Sequence, residues 1–299
     1  MKLFFIFFLF KSLDSPFKEL LPPDSFDFAV ALISDVGNNF EPCGCGNPPF
    51  RGGELSKRAY VAKKLHEKYN TKILIFDTGN YVSPSSNREF LKIFRDILKI
   101  MKVKAMALGE REAFSSKEDI EYLVKELKYP FVNMNSDFKE LLKPYEIFQI
   151  GKTKIYFTSY NPPRISNGFS DYELSVFEKL KKELKNKNSI LLIVTPFFTE
   201  LPFDTNLCVF NIIGNSINFE VSLKKEKGIY TLTVSRYGIY LPIIFFSNKN
   251  GVINVKKVVN IPLDNRIEKD SEIEKLRESW EKKKKREIEK LKKRLLRGN

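Results

Sequence analysis

The feature that most constrains the fold is a series of short apolar segments separated by stretches with helical spacing. FDFAVALIS (Phe26–Ser34), KILIFD (Lys72–Asp77), Lys104–Leu108 and Pro130–Met134 are each bounded by turn or polar residues. Strands buried on both faces of a parallel sheet read this way. Between them, Glu54–Asn70 sets Leu55, Ala59, Ala62 and Leu65 on one helical face, and Asn87–Met101 and Ser116–Leu127 continue the alternation. The second half is richer in strands. Runs at Tyr145–Ile150 and Lys154–Ser159 precede a helix at Asp171–Lys187, and strands at Ile190–Thr195 and Leu207–Ile213 come next. Three more strand-like runs, Ile229–Ser235, Ile239–Phe246 and Val252–Val259, complete the series. Alternation followed by β-rich sequence predicts stacked sheets with helices outside. There is no internal repeat.

A chain of 299 residues can bury a large core, and 42% hydrophobic residues with 27 phenylalanines exclude a disordered protein. The net charge of +14 directs attention to nucleic acid or anionic lipid. Much of it is local, however: Arg266–Asn299 alone holds 14 Lys/Arg against 8 Asp/Glu. No zinc finger or basic–aromatic RNA motif accompanies it, so no nucleic-acid module is expected. The charge is read as solvated helix faces rich in Lys and Glu.

Glu268–Arg297 predicts a long charged helix with one apolar stripe, Ile273, Leu276, Trp280, Ile288, Leu291 and Leu295, interrupted at Lys284. Such a stripe suits packing along the domain's side, with Trp280 as anchor, or self-association as a short coiled coil, and leaves open a non-catalytic scaffold acting through this helix. It is thin for a membrane surface. At the other end, MKLFFIFFLF is too short to span a bilayer but matches the charged start and apolar core of a secretory signal. Ser12 and Ser15 are the best cleavage candidates. Export to the periplasm or cell envelope is expected, with membrane contact only through this segment. The chain divides into a signal-like segment and linker (1–25), a main domain (26–265) and a charged helix (266–299).

Several segments, in order, resemble the catalytic domain of the 5′-nucleotidase and UDP-sugar hydrolase family. ALISD ending at Asp35 resembles its first metal-binding strand, which ends Asp-x-His. RGGELSKRAYVAKKL (Arg51–Leu65) is similar to its Gly-Gly-x-x-x-Arg-Arg helix start, FDTGNYVS (Phe76–Ser83) to its Asp-Ala-Gly-Asp turn and KAMALGEREAF (Lys104–Phe114) to its ALGNHEFD segment. YPFVNMN, SRYGIYL (Ser235–Leu241) and IPLDNRIEKD (Ile261–Asp270) extend the match from about Phe28 to Asp270. The resemblance implies a calcineurin-like metallophosphoesterase fold, a four-layer α/β/β/α sandwich with an extra C-terminal helix. The family's second, base-stacking domain has no counterpart in the matched stretch, so nucleotide specificity has no visible source.

The resemblance also implies two divalent metals, which clamp the attacking and leaving oxygens of an in-line displacement. Here the ligand set departs throughout. Asp35 is kept, but the histidine two residues on is Gly37; the bridging aspartate is Asn80; the Asn-His pair is Glu110-Arg111. The late Gly-His-x-His aligns with Gly214-Asn215-Ser216-Ile217, and the one histidine, His66, falls in the first helix, away from the strand ends. Arg111 places fixed positive charge where an imidazole should point, and suits pairing with Asp35 or Glu110. Loss of the bridging carboxylate and of all imidazoles predicts no tight dinuclear centre and no efficient phosphoester hydrolysis. The oxygens of Asp35, Asn80, Glu110 and Asn215 leave two readings open: one hard cation held weakly, chiefly by the first three, or a hydrogen-bonded plug with Asp35 and Asn80 in turns. No other cofactor is expected.

What stands in the loop after Asp35 is Glu41-Pro-Cys-Gly-Cys-Gly46. With Gly109-Glu110-Arg111 it resembles an exported, selenoprotein-related nucleotidase-like subfamily. Cys43 and Cys45, one glycine apart, can close only a small, strained and labile disulfide ring. Arg51 nearby, and Arg111 if it approaches, favour the thiolate. The pair suits thiol–disulfide exchange with a thiol partner, handling of a sulfur substrate, soft-metal capture, or a passive structural clip. Cys208, in the apolar run LCVFNII, is read as inert and buried.

Overall fold

The computed structural model describes residues 23, 25–34, 40, 54–80, 88–113, 116–135, 140–162, 171–203, 207–214, 221–235 and 238–297. In the first half, strands β1 (Phe28–Ile33), β2 (Ile73–Asp77), β3 (Val103–Ala107) and β4 (Phe131–Val132) alternate with helices α1 (Leu55–Tyr69), α2 (Arg88–Ile100), α3 (Glu110–Ala113) and α4 (Lys117–Leu127). These four strands are parallel, and a long antiparallel hairpin of β11 (Tyr240–Lys249) and β12 (Val252–Pro262) pairs beside β1. The first sheet therefore runs β12-β11-β1-β2-β3-β4.

The second sheet is built from β5 (Glu146–Ile150), β6 (Thr153–Ser159), β7 (Ser189–Thr195), β8 (Val209–Ile213), β9 (Ser222–Glu226) and β10 (Ile229–Thr233), in the order β5-β6-β7-β8-β10-β9. Its inner strands are parallel, its edges β5 and β9 antiparallel. Helix α5 (Asp171–Leu184) links β6 to β7, and α6 (Ser271–Arg297) ends the described chain.

The layering follows from period-two alternation on strands buried on both faces. In β1, Phe28, Val30 and Leu32 join the apolar layer between the sheets, while Ala29, Ala31 and Ile33 face the helices. Ala59 and Ala62 of α1 belong to the same apolar cluster as this face of β1. The inter-sheet layer is aromatic instead: Phe76 stacks on Phe157 at 4.4 Å, and Phe28 on Phe246 at 4.7 Å. A third apolar cluster, containing Phe177, Leu180 and Leu184, lies between α5 and the second sheet. The order is thus helices, sheet, sheet, helix: the four-layer arrangement that the resemblance implies.

Helix α6 departs from expectation along half its length. Asp270 caps it, accepting from the Glu272 and Ile273 N–H groups, and Ile273, Leu276 and Trp280 pack on the helix-side core, Trp280 against Phe90 at 6.0 Å. Lys63 reaches Asp270 at 2.7 Å and ties the cap to α1. Beyond Glu281 the described stripe residues are exposed, Ile288 by 45% and Leu295 by 67%; the Leu291 side chain lies outside the described residues. Among the described side chains, side-on packing is seen in the first ten residues of the helix.

Candidate functional site

Parallel strands direct their carboxyl ends to one edge, where crevices form in α/β folds. The end of β1 and the chain reversals after β2 and β3 are locked together there. Thr78 donates its N–H to Ile33 O at 2.8 Å, so β2 extends one residue along β1 before it turns. The turn is an Asx type: the Gly79 N–H donates to Asp77 Oδ1 at 2.9 Å. Gly79 and Asn80 then take left-handed conformations, φ +87° and +61°. Glycine is required at 79 for a second reason, since a Cβ there would lie 2.5 Å from Gly109 N and 2.6 Å from Gly109 Cα. Reciprocally, a Cβ on Gly109 would lie 2.5 Å from Asn80 N. The DTGN and ALGERE turns interlock, backbone against backbone.

A buried carboxylate holds that clasp. Glu112 is 0% exposed, and its Oε2 accepts the N–H groups of Gly109 and Asn80, both at 3.0 Å. Asn80 completes the loop: its Oδ1 accepts the Arg111 N–H at 3.0 Å. Asn80 is thus a fastening between the β2 turn and α3. Arg111 itself is exposed, and the bond to Asn80 uses its backbone. Glu112 is not singled out by the sequence, although it occupies the Glu position of the ALGNHEFD-like segment; the substituted pair before it is the more conspicuous departure.

A second set of polar groups stitches the two sheets together beside the clasp. Ser159 Oγ, at the end of β6, donates to Val132 O at 2.7 Å and accepts from Leu108 N and Asn133 Nδ2. Asn161 Nδ2 donates to Leu108 O at 2.8 Å, and Asn135 and Asn161 exchange two bonds, at 2.6 and 2.9 Å. The Asn-x-Asn of YPFVNMN is the only mark of this in the sequence.

Arg58 gathers the remaining segments. Its buried guanidinium donates from Nη1 to Ser34 O at 2.6 Å and from Nη2 to Gly238 O at 3.3 Å. The second basic residue of the GGELSKR helix start therefore pins both the end of β1, one residue before Asp35, and the SRYGIYL turn. Gly214, at the end of β8, lies against the β2 turn: a Cβ on it would be 3.1 Å from Thr78 O. Seven segments read as motif-like from sequence thus converge on one edge. Ser34 Oγ and Thr78 Oγ1 are buried there without a hydrogen-bond partner among the described residues.

Asp35, Gly37, Cys43, Cys45, Arg51 and Asn215 lie outside the described residues, as does the side chain of Glu110, whose backbone opens α3. His66 sits on α1 at the far end of the sheet, bonded to the Met101 backbone beside the start of β3. It is therefore close to a strand end, but the amino-terminal one, opposite Gly109. Burial, then Lys102 and Lys104, push its pKa below the ordinary value, so it is neutral near pH 7. Cys208 is partly rather than fully buried, and burial pushes its thiol up to about 12.

A dinuclear metal pair needs anionic oxygens and imidazoles in one place. Among the described residues no group of three or more His, Cys, Asp or Glu side chains is so placed. The described part of this edge offers an amide already bonded at Asn80 and two carboxylates already bonded, at Asp77 and Glu112. The described residues by themselves do not make up a ligand set for a metal pair.

No family model and no curated protein matches the sequence. Solved structures do. The chain is similar to sulfate thiohydrolase SoxB from Thermus thermophilus, with TM-score 0.65 and 13% identity, over 87% of this chain and 61% of that one. It is similar to a 5′-nucleotidase precursor, also from Thermus thermophilus, with TM-score 0.59 and 14% identity, over 85% and 58%. A third likeness is to the calcineurin-like phosphoesterase YfkN from Bacillus subtilis, with TM-score 0.60 and 13% identity, over 88% and 98%. The chain spans about three-fifths of the first two. The likeness shows an α/β metallophosphoesterase fold of the calcineurin-like kind, the one shared by 5′-nucleotidases.

Proposed function

We propose that this nucleotidase-like metallophosphoesterase fold carries an eroded dinuclear site without efficient hydrolase activity, in an exported protein whose reactive feature is Cys43-Gly44-Cys45. The observation that carries the reading is at Asn80. The position that should share a carboxylate between two cations bears an amide, and that amide's oxygen already accepts the Arg111 N–H. The single imidazole of the chain, on His66, lies toward the opposite end of β3, so it cannot replace the missing ligands. A one-cation hydrolase on Asp35, Asn80 and Glu110 is the second reading; it would have to take Asn80 Oδ1 away from α3.

For the cysteine pair, the favoured chemistry is exchange with a thiol or disulfide partner. A thiolate of the pair attacks the partner disulfide and expels one partner thiolate. The other cysteine then attacks the mixed disulfide and expels the second. The protein dithiol is oxidised to the Cys43–Cys45 disulfide, and the partner gains two electrons and two protons. A fold shared with a protein that bears the name of a sulfate thiohydrolase is compatible with sulfur chemistry, though fold alone does not assign it. Export is supported by MKLFFIFFLF, and no described helix is long and apolar enough to cross a membrane.

Two assays test this. Nucleoside monophosphates and bis(p-nitrophenyl) phosphate with added Mn²⁺ should show no turnover above a no-protein blank. Titration against graded glutathione buffers should give a Cys43/Cys45 midpoint between about −270 and −120 mV, the oxidoreductase range. Steady hydrolysis refutes the first half. A midpoint below about −300 mV makes the pair a passive clip.

A further inference from the structure

We propose that the distal half of α6 is an anchor for anionic lipid surfaces. From Lys282 to Leu295, a length of about 21 Å, every described side chain is exposed, on all sides of the helix. From Lys282 to Arg297 the sequence holds ten Lys/Arg against two Glu. Ile288 and Leu295, seven residues apart and therefore on one face, are 45% and 67% exposed. Each continues the stripe that Ile273, Leu276 and Trp280 use to dock on the core.

A basic helix whose described apolar side chains, Ile288 and Leu295, are exposed has three candidate occupants. A second copy is disfavoured by charge, because two such helices side by side bring like charges together along their whole length. Single-stranded nucleic acid would neutralise the charge, but its recognition relies on aromatic side chains for base stacking, and Lys282–Arg297 contains none. An anionic bilayer uses both features at once: headgroups take the Lys/Arg side chains, and the acyl boundary takes Ile288 and Leu295. The narrow stripe means that binding rests on charge, with the two aliphatic side chains adding depth. Docking by Ile273–Trp280 fixes the angle at which the segment leaves the domain.

The test is vesicle flotation with the full chain, a chain ending at Glu281, and the full-length Ile288→Asn/Leu295→Asn variant. Vesicles are phosphatidylcholine alone or with about a third phosphatidylglycerol, at about 50 and about 500 mM salt. Because MKLFFIFFLF is present in all three proteins, the reading is the gain in affinity for anionic over neutral vesicles. That gain should be at least about tenfold for the full chain at low salt, absent in the shortened chain, cut severalfold in the double variant, and largely lost at high salt. An equal gain in the shortened chain overturns the proposal. So does a double variant that binds lipid normally while a single-stranded oligonucleotide competes at equal affinity. A dimer that dissociates on shortening also overturns it, because the stripe is then an interface between copies.

Discussion

Restoring the missing carboxylate is the sharpest perturbation of the strand-end clasp. In Asn80→Asp, a second anion enters beside Glu112. A Cβ on Gly109 would lie 2.7 Å from Glu112 Oε2 and 2.8 Å from Asn80 Oδ1, so both oxygens border one point. Two unit charges about 5 Å apart at an effective dielectric of about 20 repel by about 3 kcal/mol. The Arg111 N–H still has an acceptor, and aspartate tolerates the left-handed backbone nearly as well as asparagine, so repulsion is the main term. For a domain of this size the melting temperature should fall by about 6–12 °C. The assay is thermal unfolding by circular dichroism, with and without saturating Mn²⁺. A working bridging position would turn the change into a gain, since a cation at a hundred times its Kd adds about 2.7 kcal/mol. With no imidazole at hand, Mn²⁺ should leave the deficit in place. Recovery of most of the lost temperature by Mn²⁺, or no loss without it, refutes the reasoning.

Other outcomes follow from the same structure. Arg58→Met leaves Ser34 O and Gly238 O without a charged donor in a buried place and should cost about 3–5 kcal/mol by denaturant unfolding, with Arg58→Lys recovering less than half. Glu54 is held below its ordinary pKa: burial opposes ionisation, but Lys269 and Lys57 outweigh it. Its contribution is therefore present above its unfolded pKa and lost as pH falls through the depressed value, so Glu54→Gln should be less stable than wild type at neutral pH and converge with it in acid. With its thiol pushed up to about 12, Cys208 should be unreactive to a disulfide reagent at pH 8 in the folded, reduced protein, so that two of the 3 thiols titrate quickly and the last only after denaturation.

The fold is legible because its strands are buried on both faces. FAVALI and ILIFD carry almost no polar side chain to obscure the run, and the helices between them have wide apolar faces. Strand β9, SLKKE, escapes a sequence reading for the opposite reason. It is a charged edge strand with hardly any burial, kept by main-chain pairing to β10. At the site, the two-glycine clasp can be located from its motifs, and Asn80 can be named as a departure. The role of Glu112 cannot be read, because a carboxylate that accepts two backbone N–H groups has no spacing signature. The Ser159–Asn161 stitch joins residues 26 to 53 positions away, from a different sheet, and only the packed structure brings them together. The stripe of α6 is legible as a pattern, but period alone cannot say where along a helix the protein body ends.

The central claim is that this edge cannot keep two cations in register. Equilibrium dialysis of the chelator-free protein against micromolar Mn²⁺, followed by metal counting, tests it directly. Fewer than one tightly held ion per chain is the expected result. Two ions per chain, retained through gel filtration, would contradict the account.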